Sequence, residues 1–329
     1  MLIVDAHLDL SFNAYRGRAV ELPAIQQQGD AREIPTVGLP DLVAGGVKLI
    51  CATVFCEPNS TEYPGYRTGD EAHAAAIKQL AWYQEQQGVG RIYFIRRREE
   101  LTNLSHPLSA ILLLEGADAL RNEAEVKAFS DAGLRIVGLA WRRTRLAGGT
   151  GEPGPLTPEG IALVKTLDKF SILHDVSHLA EQSFWDLLAL TSGPVLASHS
   201  NCRSIVPTDR QLSDEMIRAL IARDAVIGIN FFDKFLLPPD VYGSRRASLK
   251  DLIPHIQHIC DLAGDALHVG LGTDMDGGLG REQIPQEIQT SADLPLVGEA
   301  LSASGFSDEH IRGILGENWL RFFRERLPD

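Results

Sequence analysis

Short runs rich in Val, Ile and Leu recur along the whole chain, and most are followed by a longer stretch with helical spacing. This alternation constrains the fold more than any other feature. Eight of the runs read as strands: Leu2–His7, Val47–Phe55, Ala110–Leu114, Arg135–Ala140, Ser171–Asp175, Val195–Ala197, Ala225–Asn230 and His268–Gly272. Amphipathic periodicity predicts helices over Asp70–Gln87, Glu123–Ala132, Thr157–Lys169, Leu179–Leu190, Ser213–Arg223 and Leu249–Ala263. Thr157-Pro158-Glu159 and Ser213-Asp214-Glu215 supply good helix starts. Strands that are apolar throughout are buried on both faces, as in a parallel sheet covered by helices. Eight such units in 329 residues favour an α/β fold closed as a (β/α)₈ TIM-type barrel over a doubly wound sheet. Arg91–Ile95 reads as an extended accessory piece, Gly148–Pro155 as a loop over the barrel mouth, and Ser307–Arg326 as one or two terminal helices. With no repeat or linker in the sequence, residues 1–329 are expected to form a single domain.

Composition removes some classes of function. The chain carries 31 basic and 44 acidic residues, a formal charge of −13, with no block of one sign. Such a surface repels nucleic acid and anionic membranes, so neither is expected as a partner. No stretch approaches the roughly 18 apolar residues of a spanning helix, and no signal-peptide pattern is present, so the expected location is cytoplasmic. Cys51, Cys56, Cys202 and Cys260 form no metal-binding spacing and are expected to be reduced, in or near the core.

Chemistry enters through position. Predicted strands end in Asp5-Ala6-His7-Leu8-Asp9, Glu115-Gly116, Asp175-Val176-Ser177-His178, Ser198-His199-Ser200 and Thr273-Asp274-Met275-Asp276-Gly277. In a (β/α)₈ barrel the C-terminal strand ends ring one mouth, so residues spread over the sequence converge. Buried carboxylates and imidazoles are costly unless paired or metal-bound. Three imidazoles with Asp and Glu and no thiolate suit zinc; manganese, cobalt and iron are also compatible. Two residues apart on a strand, His7 and Asp9 share a face. Five ligands exceed one tetrahedral ion but suit two ions sharing a carboxylate, an arrangement that acidifies water and polarises a carbonyl or phosphoryl oxygen. Each element alone also reads as a turn, a cap or a core hydrogen bond; only their joint placement argues for a site. Among the other histidines, His255 and His258 share a helix face and read as packing. His73, His106 and His310 read as solvated. His174 and His268 lie in strands without a convergent set, His174 on the face of His178 but a layer deeper or at the strand start.

These residues, in this order, resemble the renal (membrane) dipeptidase family, peptidase family M19 of the amidohydrolase superfamily. Val4-Asp5-Ala6-His7-Leu8-Asp9-Leu10 resembles the opening DGHxDxP stretch, and Ile34-Pro35 through Gly45-Gly46-Val47 the approach to the second strand. Leu114-Glu115-Gly116 resembles the EGG element, with Ala117 for its second glycine. Asp175-Val176-Ser177-His178 and Ser198-His199-Ser200-Asn201 resemble DxSH and SHS, their histidines 21 residues apart. Val269 to Gly277 resembles GxGxDFDG, and Asn318-Trp319-Leu320-Arg321 the closing NxLR. The resemblance implies a zinc-dependent dipeptidase acting on a small peptide, in which a hydroxide bridging two Zn2+ ions attacks the amide bond. It implies His7 and Asp9 on the first zinc, His178 and His199 on the second, and Glu115 between them. It also implies Asp274 as the proton shuttle, Arg210 on the substrate carboxylate, and a homodimer.

One departure concerns substrate recognition. Where the family's fourth strand ends in LTH, this chain has Leu139-Ala140-Trp141 followed by Arg142-Arg143-Thr144-Arg145. An indole donates one hydrogen bond but becomes neither cation nor acceptor. Two alternatives therefore stand beside a dipeptidase: a hydrolase of another carboxylate-bearing amide or lactam on the same centre, with Trp141 as an aromatic wall, or a non-catalytic metal-binding descendant.

Overall fold

The computed structural model describes residues 2–29, 33–60 and 65–329. Among these, nine parallel strands form one sheet: β1 (Ile3–Leu8), β2 (Val47–Phe55), β3 (Tyr93–Phe94), β4 (Ser109–Glu115), β5 (Leu134–Gly138), β6 (Leu173–Asp175), β7 (Val195–Leu196), β8 (Ile227–Ile229) and β9 (Val269–Leu271). The order runs β7-β6-β5-β4-β2-β1-β9-β8, with β3 attached beside β4 as the accessory piece. Between β7 and β8 the ring is completed by a bridge from Ala197 to Ile227. Its hydrogen bonds run from Ala197 N to Val226 O (3.1 Å) and from Gly228 N to Ala197 O (2.8 Å). The eight expected strands are thus the eight staves of a (β/α)₈ barrel.

Burial follows the strand alternation. Val4, Ala6, Leu49, Cys51, Ile111, Leu113, Ile136, Leu173 and Leu196 cluster together, while Ile50, Ala52, Val54, Ala110, Leu112, Leu114 and Val137 join the larger apolar layer under the helices. The first cluster is sealed from below by the helix Asn318–Arg326, which adds Trp319, Leu320, Phe322 and Phe323. Trp319 is fully buried and its Nε1–H donates to Leu271 O of β9 at 2.9 Å. A side chain at Gly270 would collide with that indole, its Cβ lying 2.3 Å from Nε1, so the glycine makes room for the floor.

The expected helices form with small changes at their ends. Glu123–Ala132 and Leu249–Ala263 match, and the others start or stop within two residues of expectation. Thr157 and Ser213 cap their helices by accepting from Gly160 N (3.1 Å) and Met216 N (3.3 Å). The helix expected from Leu179 begins at Glu181, because His178 takes a left-handed conformation (φ 65°) that prolongs the turn after β6. The tail forms a nearly continuous run, Asp308–Arg312, Gly313–Glu317 and Asn318–Arg326. All four cysteines are free and buried.

His255, fully buried on the helix Leu249–Ala263, accepts from Cys202 N at its Nδ1 (3.1 Å) and faces Leu236 O with Nε2 (3.4 Å). Its partner on that face, His258, pairs with Asp214 at 2.7 Å. Both are packing residues.

Two stability experiments follow from this arrangement. Trp319→Ala empties the floor of the barrel and should lower the unfolding free energy by about 3–5 kcal/mol in urea denaturation. Burial pulls His255 from 6.5 down to about 4, so between these values the unfolded chain binds a proton that the folded chain refuses. Stability should therefore fall as pH drops from 6.5 toward 4, by up to about 3 kcal/mol from this residue. Urea midpoints of His255→Asn across that window should show a shallower slope than those of the parent.

Candidate metal centre

Six polar side chains converge at the C-terminal mouth of the barrel. His7 comes from β1, Asp9 from the start of the helix Leu10–Tyr15, and Glu115 from the last position of β4. His178 lies in the turn after β6, and His199 and Asp274 just beyond β7 and β9. His7 and Asp9 meet, though not by regular alternation. A register shift between Asp5 and Leu8 inserts an irregularity at His7, and Asp9 already begins a helix.

Glu115 lies at the centre. Its Oε2 is 3.7 Å from His7 Nε2, which is itself 3.8 Å from Asp9 Oδ2. Its Oε1 is 3.4 Å from His178 Nε2 and 3.5 Å from His199 Nε2. One carboxylate therefore addresses two separate donor groups with its two oxygens. His7 Nε2, Asp9 Oδ1 and Glu115 Oε1 are buried without a hydrogen-bond partner. Such atoms are expensive in a protein interior. The two imidazole Nε2 atoms on the second side are 3.0 Å apart. The Nδ1 of His178 turns to Thr150 Oγ1 (2.9 Å) and that of His199 to Ser198 Oγ (2.7 Å). Donors on one tetrahedral zinc at roughly 2.0–2.2 Å stand about 3.3 Å from each other, close to the 3.4 and 3.5 Å on the His178 and His199 side, while the His7 and Asp9 side is wider at 3.7 and 3.8 Å. Three overlapping groups bring one ligand atom from each member within 4.8 Å of the others: His7 with Asp9 and Asp274, Glu115 with His178 and His199, and His7 with Asp175 and His199. The residues present fit two divalent cations.

The electrostatics agree. Burial pulls His178 and His199 well below the usual imidazole range, and nearby cationic groups pull the same way, so both stay neutral. His7 is also depressed by burial, but Glu115, Asp9 and Asp274 outweigh that and lift it to about 10. Three carboxylates thus draw positive charge to this point. Asp9 is pushed well above the ordinary carboxyl range by burial.

Asp274 and Asp276, two residues apart, differ in role. Asp274 Oδ2 accepts from Asn230 Nδ2 at 2.9 Å, and burial raises it to about 7, with Glu115 adding and His7, Arg210 and Asn230 opposing. Asp276 is a clamp: it accepts from Thr36 N, Thr36 Oγ1 (2.7 Å), Val37 N (2.8 Å) and Arg18 Nη2 (2.5 Å). His178, Asp274 and Asp276 all hold positive φ, at 65°, 58° and 65°. For non-glycine residues this costs on the order of 1–3 kcal/mol each, and such strain gathers at functional sites.

Above the centre opens a cleft of about 400 Å³, lined by Asp9, Glu115, His178, His199 and Asp274 together with aromatic and charged residues. Trp141 lines it, as expected of a wall, edge-on to Phe55 at 5.3 Å and tilted against His178 at 6.1 Å. Arg142 stacks on the Trp141 ring. Arg210 does not line the cleft. It is 4% exposed, lies over the Phe235 ring, and donates to His199 O (2.6 Å) and Ser200 Oγ (3.1 Å). The loop expected over the mouth does reach the site, through Thr150. Lys234, Phe232, Phe235 and Asn230 escaped the sequence reading. Nothing in their spacing marks them, since they gather only through the turn after β8.

The remaining histidines stand apart, with two corrections. His174 does not share a face with His178: its Nε2 bonds Asp168 on a covering helix at 2.8 Å, and β6 ends at Asp175, so strand alternation does not extend to the left-handed turn at His178. His73 is not free in solvent but bonds Ala119 O at 3.0 Å. His268 bonds Ala225 O at 2.9 Å.

Comparison with known proteins gives the family. Residues 1–327 match the membrane dipeptidase family, peptidase family M19. A crystal structure of a dipeptidase of that family superposes with a TM-score of 0.86 at 26% identity, covering 99% of this chain and 98% of that one. A metallopeptidase from Rhodobacter sphaeroides, solved with a phosphinate mimic of the dipeptide L-Ala-D-Ala, gives 0.86 at 25% identity and covers 99% of both chains. An uncharacterised protein of Klebsiella pneumoniae is 32% identical over 227 residues, 66% of this chain and 82% of that protein. Dipeptidase tcpJ of Claviceps purpurea is 28% identical over 226 residues, and the match spans 51% of its length. Among the described residues no helix is long and apolar enough to cross a membrane. The chain belongs to the membrane dipeptidase family, peptidase family M19.

Proposed function

We propose that the protein is a zinc-dependent dipeptidase that hydrolyses the amide bond of a small peptide at the Glu115 centre. The observation that carries this reading is the division of the two Glu115 oxygens between His7 with Asp9 and His178 with His199. His7, Asp9 and Glu115 would hold one cation, and Glu115, His178 and His199 the other. When bound, a pair of Zn2+ ions polarises the scissile carbonyl and makes water acidic enough to attack near neutral pH.

The chain's own groups handle the proton and the substrate. Asp274, titrating near neutrality and restrained by Asn230, takes a proton from the attacking water and returns it to the leaving amine. Asp274 follows β9, and Trp141 follows β5 four staves away around the eight-stave ring. The leaving residue then lies toward Phe232, Lys234 and Phe235, and the acyl residue toward Trp141 and Phe55. The carboxylate of the leaving residue is assigned to this cationic side, with Lys234 at the lining and Arg210 behind Phe235.

A second reading, hydrolysis of a ring-bearing amide or lactam on the same centre, is favoured by the Trp141–Phe55 wall where the resemblance leads one to expect a histidine.

Amino-acid release should be measured on a dipeptide panel that includes D-residues at the C-terminal position. Chelation is expected to abolish turnover and zinc to restore it, while chelator-insensitive hydrolysis would overturn the proposal. Asp274→Asn should lower kcat by about 10²- to 10⁴-fold while two ions remain bound. Trp141→His discriminates the two substrate readings. A rise of about 100-fold in dipeptide turnover, the scale of one oxyanion donor, would favour the second; unchanged or reduced turnover would favour the first.

A further inference from the structure

The metal-facing imidazoles of the two half-sites are tied together by one hydroxyl. Ser198, fully buried, places Oγ 3.1 Å from His7 Nδ1 and 2.7 Å from His199 Nδ1. The same oxygen donates to Asp175 Oδ2 at 2.5 Å. Asp175 is fixed in turn, its Oδ1 accepting from Ser177 N (3.0 Å) and Ser198 N (2.9 Å). The Ser198 carbonyl is gripped from the other side. A Cβ at Gly228 or Gly272 would lie 1.9 or 1.8 Å from that oxygen, so only glycine lets β8 and β9 close around it.

The donor count then has one solution. The single hydroxyl proton of Ser198 is donated to Asp175 Oδ2. Its two lone pairs face the two Nδ1 atoms, which must therefore both carry hydrogen. With hydrogen on Nδ1, each Nε2 is the nitrogen that would face a cation at the Glu115 centre, and on His7 that cation would replace the second proton that Glu115, Asp9 and Asp274 favour. His7 belongs to the side of Glu115 Oε2 and His199 to the side of Oε1. One hydroxyl thus sets the tautomer and tilt of a ligand in each half.

We propose that Ser198, oriented by Asp175, is a positioning residue that couples the two half-sites of the metal centre, so that loss of its hydroxyl weakens both ions rather than one. The proposal rests on the reading that cations occupy both sides of Glu115.

The test is zinc titration of the full-length protein against a chromophoric chelator, for the parent, Ser198→Ala and Asp175→Asn. The urea midpoint of each metal-free protein is measured alongside. The parent is expected to bind two ions. Ser198→Ala should lose about 10- to 100-fold in affinity at both steps, with the metal-free midpoint moving far less than a general loss of structure would require. Asp175→Asn keeps the volume but offers Ser198 a donor, which releases the hydroxyl proton toward an imidazole; it should weaken zinc in the same sense and serves if Ser198→Ala fails to fold. Ser198→Ala or, in its place, Asp175→Asn holding both ions at parental affinity, or losing one and keeping the other, would overturn the coupling. A parent that takes up fewer than two ions would instead overturn the metal reading and the proposal with it.

Discussion

The arrangement of the whole mouth turns on one buried carboxylate. Glu115 ends the strand β4, and its two oxygens look in different directions, each toward a cluster that the rest of the barrel supplies. Two further acids and three imidazoles crowd around it in a region almost sealed from water. Without concentrated positive charge, the mutual repulsion of those acids and the unpartnered donors would work against folding. The barrel answers by making the frame rigid: eight staves, a packed interior and a helical floor hold the ring of strand ends at fixed separation.

Acids that look alike in the sequence serve different ends. Asp5, Asp175 and Asp276 are as buried as Asp9, Glu115 and Asp274, yet each is surrounded by donors. Asp5 accepts from Thr273 N (2.9 Å) and Thr273 Oγ1 (2.6 Å), joining β1 to the turn after β9. Asp276 joins that turn to residues 18, 36 and 37. These are braces. Asp9, Glu115 and Asp274 are left facing the cleft with fewer donors than oxygens, and that imbalance separates reactive carboxylates from structural ones.

Much of this was legible in the sequence, because two signals reinforce each other. Continuous apolar runs identified all eight staves, and polar residues at their ends named the side chains that converge, since barrel topology turns strand-end position into spatial proximity. What stayed hidden depends on local backbone geometry. β6 ends at Asp175 and a left-handed turn places His178, so His178 faces the cleft while His174 faces Asp168, which a count of two along a strand does not anticipate. Arg210 was named by the resemblance, but whether its guanidinium faces the cleft or the back of His199 is decided by packing on Phe235. Ser198 sat inside a recognised motif, yet a hydroxyl's partners are invisible until the rings on either side have been oriented.

The floor of the barrel has a bearing on how the chain acquires its shape. The staves lie between residues 3 and 271, but the helix that covers their inner residues from below is built from residues 318–326. A growing polypeptide that has finished every strand still exposes the apolar lining of Val4, Leu49, Ile111 and Leu173 until that last helix emerges and Trp319 docks over Gly270. During synthesis, therefore, the sheet is sticky and open at its base for some fifty residues of elongation, and completion of the scaffold is timed by its final turn of helix.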